Sequence, residues 1–97
     1  MQELDQQLNR QFGAWRDNLP LALGVEKAIF RYISTNHLSA SKRVVQQLLH
    51  HHTSAMQYLH NLIQQPRRYH LDGSPAGEVI PTEREYAALK LASLPST

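Results

Sequence analysis

The chain has 97 residues, which allow one domain with one modest core and rarely leave room for a full enzyme pocket. It has no cysteine, no apolar run near the roughly 20 residues of a membrane span, and a polar N-terminus unlike a signal peptide. These features exclude disulfides, thiolate zinc sites and cysteine nucleophiles and favour a soluble cytoplasmic protein, whereas the formal net charge of +2 by itself indicates no partner.

The first half of the chain predicts three helices. Apolar residues recur at helical spacing over residues 2–16 and again over residues 24–35. Ser39 or Ser41 can cap a third helix, which is expected to run to about His51. The side chains expected to face inward are Leu4, Leu8, Phe12, Trp15, Val25, Ile29, Phe30, Ile33, Val44, Val45, Leu48 and Leu49.

A short helix and a hairpin are expected next. Thr53 and Ser54 can cap the helix, and Pro66 ends it. Residues 68–71 and 77–80 read as two short strands joined by a turn that contains glycine and proline.

The last element is a helix that we expect to run to about Ala92. Thr82 followed by Glu85 matches the pattern of a capping box at its start. The fold class is therefore mainly α, a compact domain of about five helices with a small β-hairpin. We expect a single domain over residues 1–97, with its core at about residues 19–92.

The charges are unevenly distributed along the chain. Between Lys27 and Leu71 there is no Asp or Glu, and all six histidines lie within this segment. An acid-free middle with acidic flanks favours a face that meets polyanions, although chance clustering on a solvated surface gives the same pattern. The basic residues of this segment are Lys27, Arg31, Lys42, Arg43, Arg67 and Arg68.

The run of three histidines at residues 50–52 does not predict a metal site. Successive residues of a helix point about 100° apart, so three adjacent imidazoles cannot converge on one ion. Histidines at the end of a helix are equally explained by the helix dipole. Of the three histidines, His52 is the best candidate for donating a hydrogen bond to a phosphate. No spacing marks a catalytic nucleophile or a phosphate-binding glycine loop, so we expect no catalytic residue.

Two further places can bind an anion. A helix that starts at Thr53 and Ser54 offers unpaired amide groups and a positive dipole end, although an ordinary cap explains the pair equally well. Tyr58 follows on the same helix and has its ring or hydroxyl free if neighbouring leucines fill the core. Arg67 and Arg68 point to opposite faces of a strand, so only one of them is expected to enter a site.

Several motifs in order resemble the ProQ/FinO domain family, over about residues 19–90. They are the Pro-Leu-Ala-Leu-Gly-Val segment of residues 20–25, the Tyr58-Leu59 pair, Arg68 ten residues after Tyr58, and the strand–turn–strand signature of residues 68–73 and 77–79. The resemblance implies a bacterial RNA chaperone and small-RNA regulator. Its partner would be structured RNA, at the base of a terminator hairpin and its single-stranded 3′ end.

The resemblance also implies which residues bind. Tyr58 and Arg68 would form the pocket for the RNA 3′ end, with His52 beside them. The helix start at Thr53 and Ser54 would meet the duplex backbone. The basic residues expected to contact the backbone are Lys27, Arg31, Lys42, Arg43 and Arg67. We expect a monomer that needs no cofactor and no metal.

Some positions depart from the family pattern and keep other functions open. Ala22, Gln46 and His50 stand where several members carry basic residues, so the duplex-facing surface is less basic. The alternative is a protein-interaction module of the same fold with weak RNA affinity. A helix-turn-helix DNA binder built on residues 25–52 would lack a recognition helix rich in Arg, Asn and Gln at its N-terminal end.

Overall fold

A computed structural model describes residues 2–94. In chain order the elements are α1 (Gln2–Gln11), α2 (Gly13–Arg16), α3 (Val25–Thr35), α4 (Lys42–Thr53), α5 (Met56–Gln64), β1 (Arg67–Tyr69), β2 (Pro75–Glu78) and α6 (Pro81–Ala92). The predicted class, mainly α with a small hairpin, is confirmed. Six helices are present in this part of the chain rather than about five, because the first predicted helix is divided.

The division of the first helix occurs at Phe12. Its backbone is extended, with φ −128° and ψ 113°, and α2 begins at the following glycine. The Arg16 guanidinium folds back and donates to the Asn9 carbonyl at 2.8 Å, which satisfies an end group of α1. The bend lets both short helices bury apolar side chains, Leu8 from α1 and Trp15 from α2. The N-terminal segment therefore packs against the core.

The core is one contiguous cluster to which every helix contributes. Trp15, Ile29 and Val45 are fully buried within it. Of the predicted inward side chains, Phe12, Phe30, Val44 and Leu49 are only partly buried. The apolar spacing thus identified the buried side of each helix but overstated how many of its residues are fully buried.

The helix boundaries follow local chemistry. Ser41 caps α4, because its hydroxyl accepts from the Val44 amide at 3.2 Å, which selects it over Ser39. Gly24 precedes α3 with φ +79°, a left-handed conformation that favours glycine. These two residues set the angles at which α3 and α4 enter the core.

The hairpin holds a third extended segment. β1 and β2 pair antiparallel, with Arg68 opposite Gly77. On the other side of β1, the Tyr69 amide donates to the Pro20 carbonyl at 2.8 Å, and the Ala22 amide donates to the Tyr69 carbonyl at 2.9 Å. The segment around Leu21 is thereby fixed beside β1. Both strands lie one to two residues earlier in the chain than predicted.

Candidate functional site

A cleft of about 380 Å³ lies where the C-terminal end of α4, the start of α5, β1 and α6 meet. Its volume is at the lower end of the range for small-ligand sites, roughly 300–1,000 Å³. Its lining residues are His50, Thr53, Ser54, Tyr58, Leu59, Leu62, Arg68, Thr82, Glu83, Tyr86 and Lys90. The cleft therefore brings together Tyr58, Arg68, Thr53 and Ser54, four of the residues predicted from the sequence to bind.

Tyr58 lines the cleft as a nearly buried residue. The residue is 4% exposed, because it shares the buried side of α5 with Leu59 and Leu62. The expectation of a free ring was wrong, since these leucines leave the ring inside the core rather than displacing it. The hydroxyl oxygen accepts from the Leu21 amide at 3.1 Å. Its proton enters no hydrogen bond among residues 2–94, so it can donate to a ligand.

Arg68 is buried and held from two sides. Its Nη1 donates to the Leu21 carbonyl at 2.7 Å, and its Nη2 lies 2.8 Å from Glu83 Oε2. The amide of Leu21 is thus bound by Tyr58 and its carbonyl by Arg68. The Nε of Arg68 is buried and has no partner among the described residues. Arg67, its neighbour on β1, is exposed, as the alternation of a strand requires.

Glu83 joins this arrangement to the start of α6. Its Oε1 accepts from the Ile80 amide at 3.0 Å, and this bond, together with Arg68, holds the pKa of Glu83 below its ordinary value. The predicted capping box of Thr82 and Glu85 was wrong. The helix begins one position before Thr82, at Pro81, whose fixed φ suits a first helical position. The carboxylate of Glu83 therefore stays charged at neutral pH.

The junction of α4 and α5 also differs from the prediction. Thr53 is the last residue of α4, and its hydroxyl donates to the Leu49 carbonyl at 2.8 Å. Ser54 is the C-cap of α4, and the N-cap of α5 is Ala55, which has no side chain to cap with. The prediction that Thr53 and Ser54 cap α5 was therefore wrong. The first-turn amides of α5 have no side-chain cap.

His52 faces the core instead of the cleft. Its ring stacks on Trp15 with centroids 3.7 Å apart and planes at 15°, and it meets the edge of Tyr58 at 5.7 Å. Its Nε2 is buried without a partner among residues 2–94. Burial lowers the pKa of His52 to about 4, against a smaller opposing effect of Asp5. His52 is therefore neutral at pH 7 and lies outside the lining predicted for it.

The remaining predicted cations are on the surface and outside this cleft. They are Lys27, Arg31, Lys42, Arg43 and Arg67, all exposed. Arg31 borders a second cleft, which lies against Tyr32, His70 and Asp72. Of the basic residues in the acid-free segment, only Arg68 lines the cleft with Tyr58.

Sequence reasoning missed the α6 side of the cleft. Thr82, Tyr86 and Lys90 are spaced four residues apart, so they lie on one face of α6. That regular spacing was the available signal. The acid-free segment ends at Leu71, before α6 begins, so the charge pattern did not indicate this helix. His50, predicted as one of three histidines at a helix end and as a position where the duplex-facing surface is less basic, also lines the cleft.

Two further features, a membrane-spanning helix and a metal site, are absent from residues 2–94. No helix within residues 2–94 has the length and apolar character needed to cross a membrane. In the same part of the chain, no three His, Asp or Glu side chains come together in a way that could hold a metal ion.

Comparison with known proteins places the fold. The structure of NMB1681 from Neisseria meningitidis MC58, a FinO-like RNA chaperone, matches with a TM-score of 0.82 and 19% sequence identity, over 94% of this chain and 80% of that one. No curated protein sequence matches significantly. A sequence model of the ProQ/FinO family matches residues 1–96. The resemblance inferred from the motifs is thereby confirmed, and the chain belongs to the ProQ/FinO family.

Proposed function

We propose that the protein is an RNA chaperone that holds the 3′ end of a structured RNA in the cleft between α5, β1 and α6. The observation that carries this proposal is that Tyr58 and Arg68, from two different elements, line one cleft, where Tyr58 has an unused hydroxyl proton. Family membership and the likeness to a FinO-like RNA chaperone support RNA as the ligand.

The polar groups of the cleft suit a ribose end better than a phosphate end. The Tyr58 hydroxyl can donate a proton, whereas the Thr53 hydroxyl already donates to Leu49 and can only accept. A 2′- or 3′-hydroxyl both donates and accepts, but a phosphate only accepts. The Glu83 carboxylate, 23% exposed, is paired with Arg68 at 2.8 Å, so this pair offers a terminal phosphate no net positive charge.

The duplex beside the 3′ end would contact α4 and the start of α5. The uncapped amides at the start of α5 offer partial positive charge to a phosphate. Lys42 and Arg43 are exposed at the opposite end of α4, about 16 Å away along the helix axis. Contacts at both ends of α4 would let the protein bind along the RNA backbone of a duplex. A terminator hairpin with a single-stranded 3′ tail offers such a duplex beside its 3′ end.

The proposed activity is binding without chemistry. The cleft holds one carboxylate, Glu83, and this group is engaged by Arg68 and by the Ile80 amide. We therefore propose a non-enzymatic protein that acts as a monomer in the bacterial cytoplasm. Its role would be post-transcriptional regulation through small RNAs and mRNA 3′ ends.

The experiment is a titration of wild-type protein with one hairpin that ends in a uridine tail. The RNA carries either a 3′-hydroxyl or a 3′-phosphate, and duplex DNA serves as competitor. We expect the hydroxyl-ended RNA to bind at least tenfold more tightly, and Tyr58→Phe to weaken its binding, because the proton offered to the ribose is lost. Tyr32→Phe is the matched control, because its hydroxyl bonds Gln7 away from the cleft. Equal binding of both RNA ends would refute the 3′-end pocket.

One observation favours the alternative, a protein-interaction module of the same fold. Leu23 and Leu89 are large apolar side chains that are 78% and 73% exposed. If they meet a protein, Leu23→Asp and Leu89→Asp would abolish that interaction without changing affinity for the hairpin. Absence of hairpin binding by the wild type would favour this alternative.

A further inference from the structure

The cleft has a second aromatic residue in a different situation from Tyr58. Tyr86 lines the cleft from α6 and is 62% exposed, whereas Tyr58 is 4% exposed. A base can stack only on a ring that has a free face. Because the ring of Tyr58 is enclosed by the core, stacking and hydroxyl binding cannot both belong to Tyr58.

The charges of the cleft also point to α6. Arg68 and Glu83 form an ion pair at 2.8 Å, so their charges cancel at short range. Among the lining residues this leaves Lys90 as the one permanent charge without an opposite charge in the cleft. A phosphate that enters the cleft would therefore be attracted mainly by Lys90.

Tyr86 and Lys90 are placed to act on the same nucleotide. They are four residues apart on α6, so their Cβ atoms are about 5–6 Å apart on one helix face. A lysine side chain is long and flexible enough to reach past a base to the phosphate attached to its sugar.

We propose that Tyr86 stacks on a base of the single-stranded 3′ tail, next to the terminal nucleotide, and that Lys90 pairs with the phosphate joining the two. This inference rests on the proposed function and divides its site in two. Tyr58 contacts the terminal ribose, while α6 holds the preceding nucleotide. Stacking on Tyr86 tolerates any base, so this contact adds affinity for a tail without selecting its sequence.

The test compares Tyr86→Ala and Tyr86→Phe on two hairpins that differ at one position. One hairpin has an intact uridine tail, and the other has an abasic nucleotide next to its 3′ end. We expect Tyr86→Ala to weaken binding of the intact RNA at least fivefold, the lower end of measured base–aromatic stacking. Tyr86→Phe should retain wild-type affinity, and on the abasic RNA all three proteins should bind equally.

Leu89→Ala is the matched control, since Leu89 is also largely exposed on α6 but does not line the cleft. Lys90→Gln should lower the slope of log affinity against log salt by about 0.7, the value for one phosphate contact on a single strand. Tyr86→Ala should leave that slope unchanged. Thermal unfolding of each variant shows that the exposed substitutions leave the fold intact.

Each outcome separates the two levels of the proposal. If the wild type binds the hairpin but Tyr86→Ala binds it equally well, the α6 contact is wrong and the proposed function stands. An equal loss on intact and abasic RNA would show that Tyr86 does not stack. If the wild type binds no hairpin, both proposals fall together.

Discussion

The stacked pair of His52 and Trp15 predicts that stability falls steeply in mild acid. In the folded protein burial lowers the pKa of His52 to about 4, whereas an unfolded chain gives histidine its ordinary value of about 6.5. The unfolded state therefore binds more protons between these two values. Stability is fully present above about pH 6.5 and is lost as the pH falls through 4.

The size of the loss follows from the difference between the two pKa values. About 2.5 units at 1.36 kcal/mol each give roughly 3 kcal/mol once the pH is below 4. For a domain of this length that corresponds to a fall in Tm of roughly 10 °C or more. Because Trp15 is the one tryptophan and touches His52, its fluorescence reports unfolding at the site itself.

The assay is urea unfolding followed by Trp15 fluorescence between pH 4 and 7, on wild type and His52→Phe. A phenyl ring can keep the stack on Trp15 but cannot be protonated. Glu83 and Asp72 titrate in both proteins, so the difference between the two curves isolates His52. We expect the wild type to lose about 2 kcal/mol more than His52→Phe between pH 7 and 4.5. Parallel curves would refute the assignment of a depressed pKa to His52.

Three further predictions concern the residues around Leu21 and the surface of α4. Tyr58→Phe should lower the free energy of unfolding by about 1–3 kcal/mol in denaturant titrations, because it leaves the Leu21 amide buried and unpaired. Arg68→Ala should cost about 1–3 kcal/mol, since the Leu21 carbonyl and the partly exposed Glu83 both lose their partner, and a cost below 1 kcal/mol would contradict these contacts. Lys42→Ala and Arg43→Ala should each weaken binding to all hairpins alike by about 0.5–1.5 kcal/mol. A changed preference among RNA sequences would show that these side chains touch bases. For the wild type, the slope of log affinity against log salt should be about −2 to −4.

Local sequence signals were sufficient where one residue type had one favourable role. Helices α3 and α4 were expected close to their observed positions because apolar spacing marks both, and Ser41, one of the two candidate caps, begins α4. The break at Phe12 was missed because apolar spacing continues through it. Gly13 was the available signal, since glycine is a poor residue in a helix interior.

Local sequence signals failed where one segment allowed two interpretations of its capping residues. Glu83 and Glu85 both offer a carboxylate for a capping box, and Thr82 suggested the wrong one. Pro81 decides between them, because proline is favourable at the first helical position. Thr53 is a similar case, since a threonine hydroxyl can cap a new helix or bond back to the one before it, and here it bonds to Leu49.

His52 could not have been placed from its neighbours in the sequence. It lies within a run of three histidines, and its neighbours His50 and His51 are exposed. What distinguishes it is contact with Trp15, which is 37 residues away on α2, just after the bend at Phe12. A contact between residues so far apart in the sequence leaves no local signal at His52.

The burial of Tyr58 and Arg68 changes how the family pattern bears on function. Both side chains bond Leu21, which lies beside β1, so they stabilise this chain whether or not it binds RNA. A protein-interaction module of the same fold would keep them for that reason. The two functions are better distinguished by cleft residues that bear little of the fold, and Tyr86 and Lys90 on α6 are of this kind. Substitution there separates loss of RNA binding from loss of structure, which substitution of Tyr58 or Arg68 cannot do.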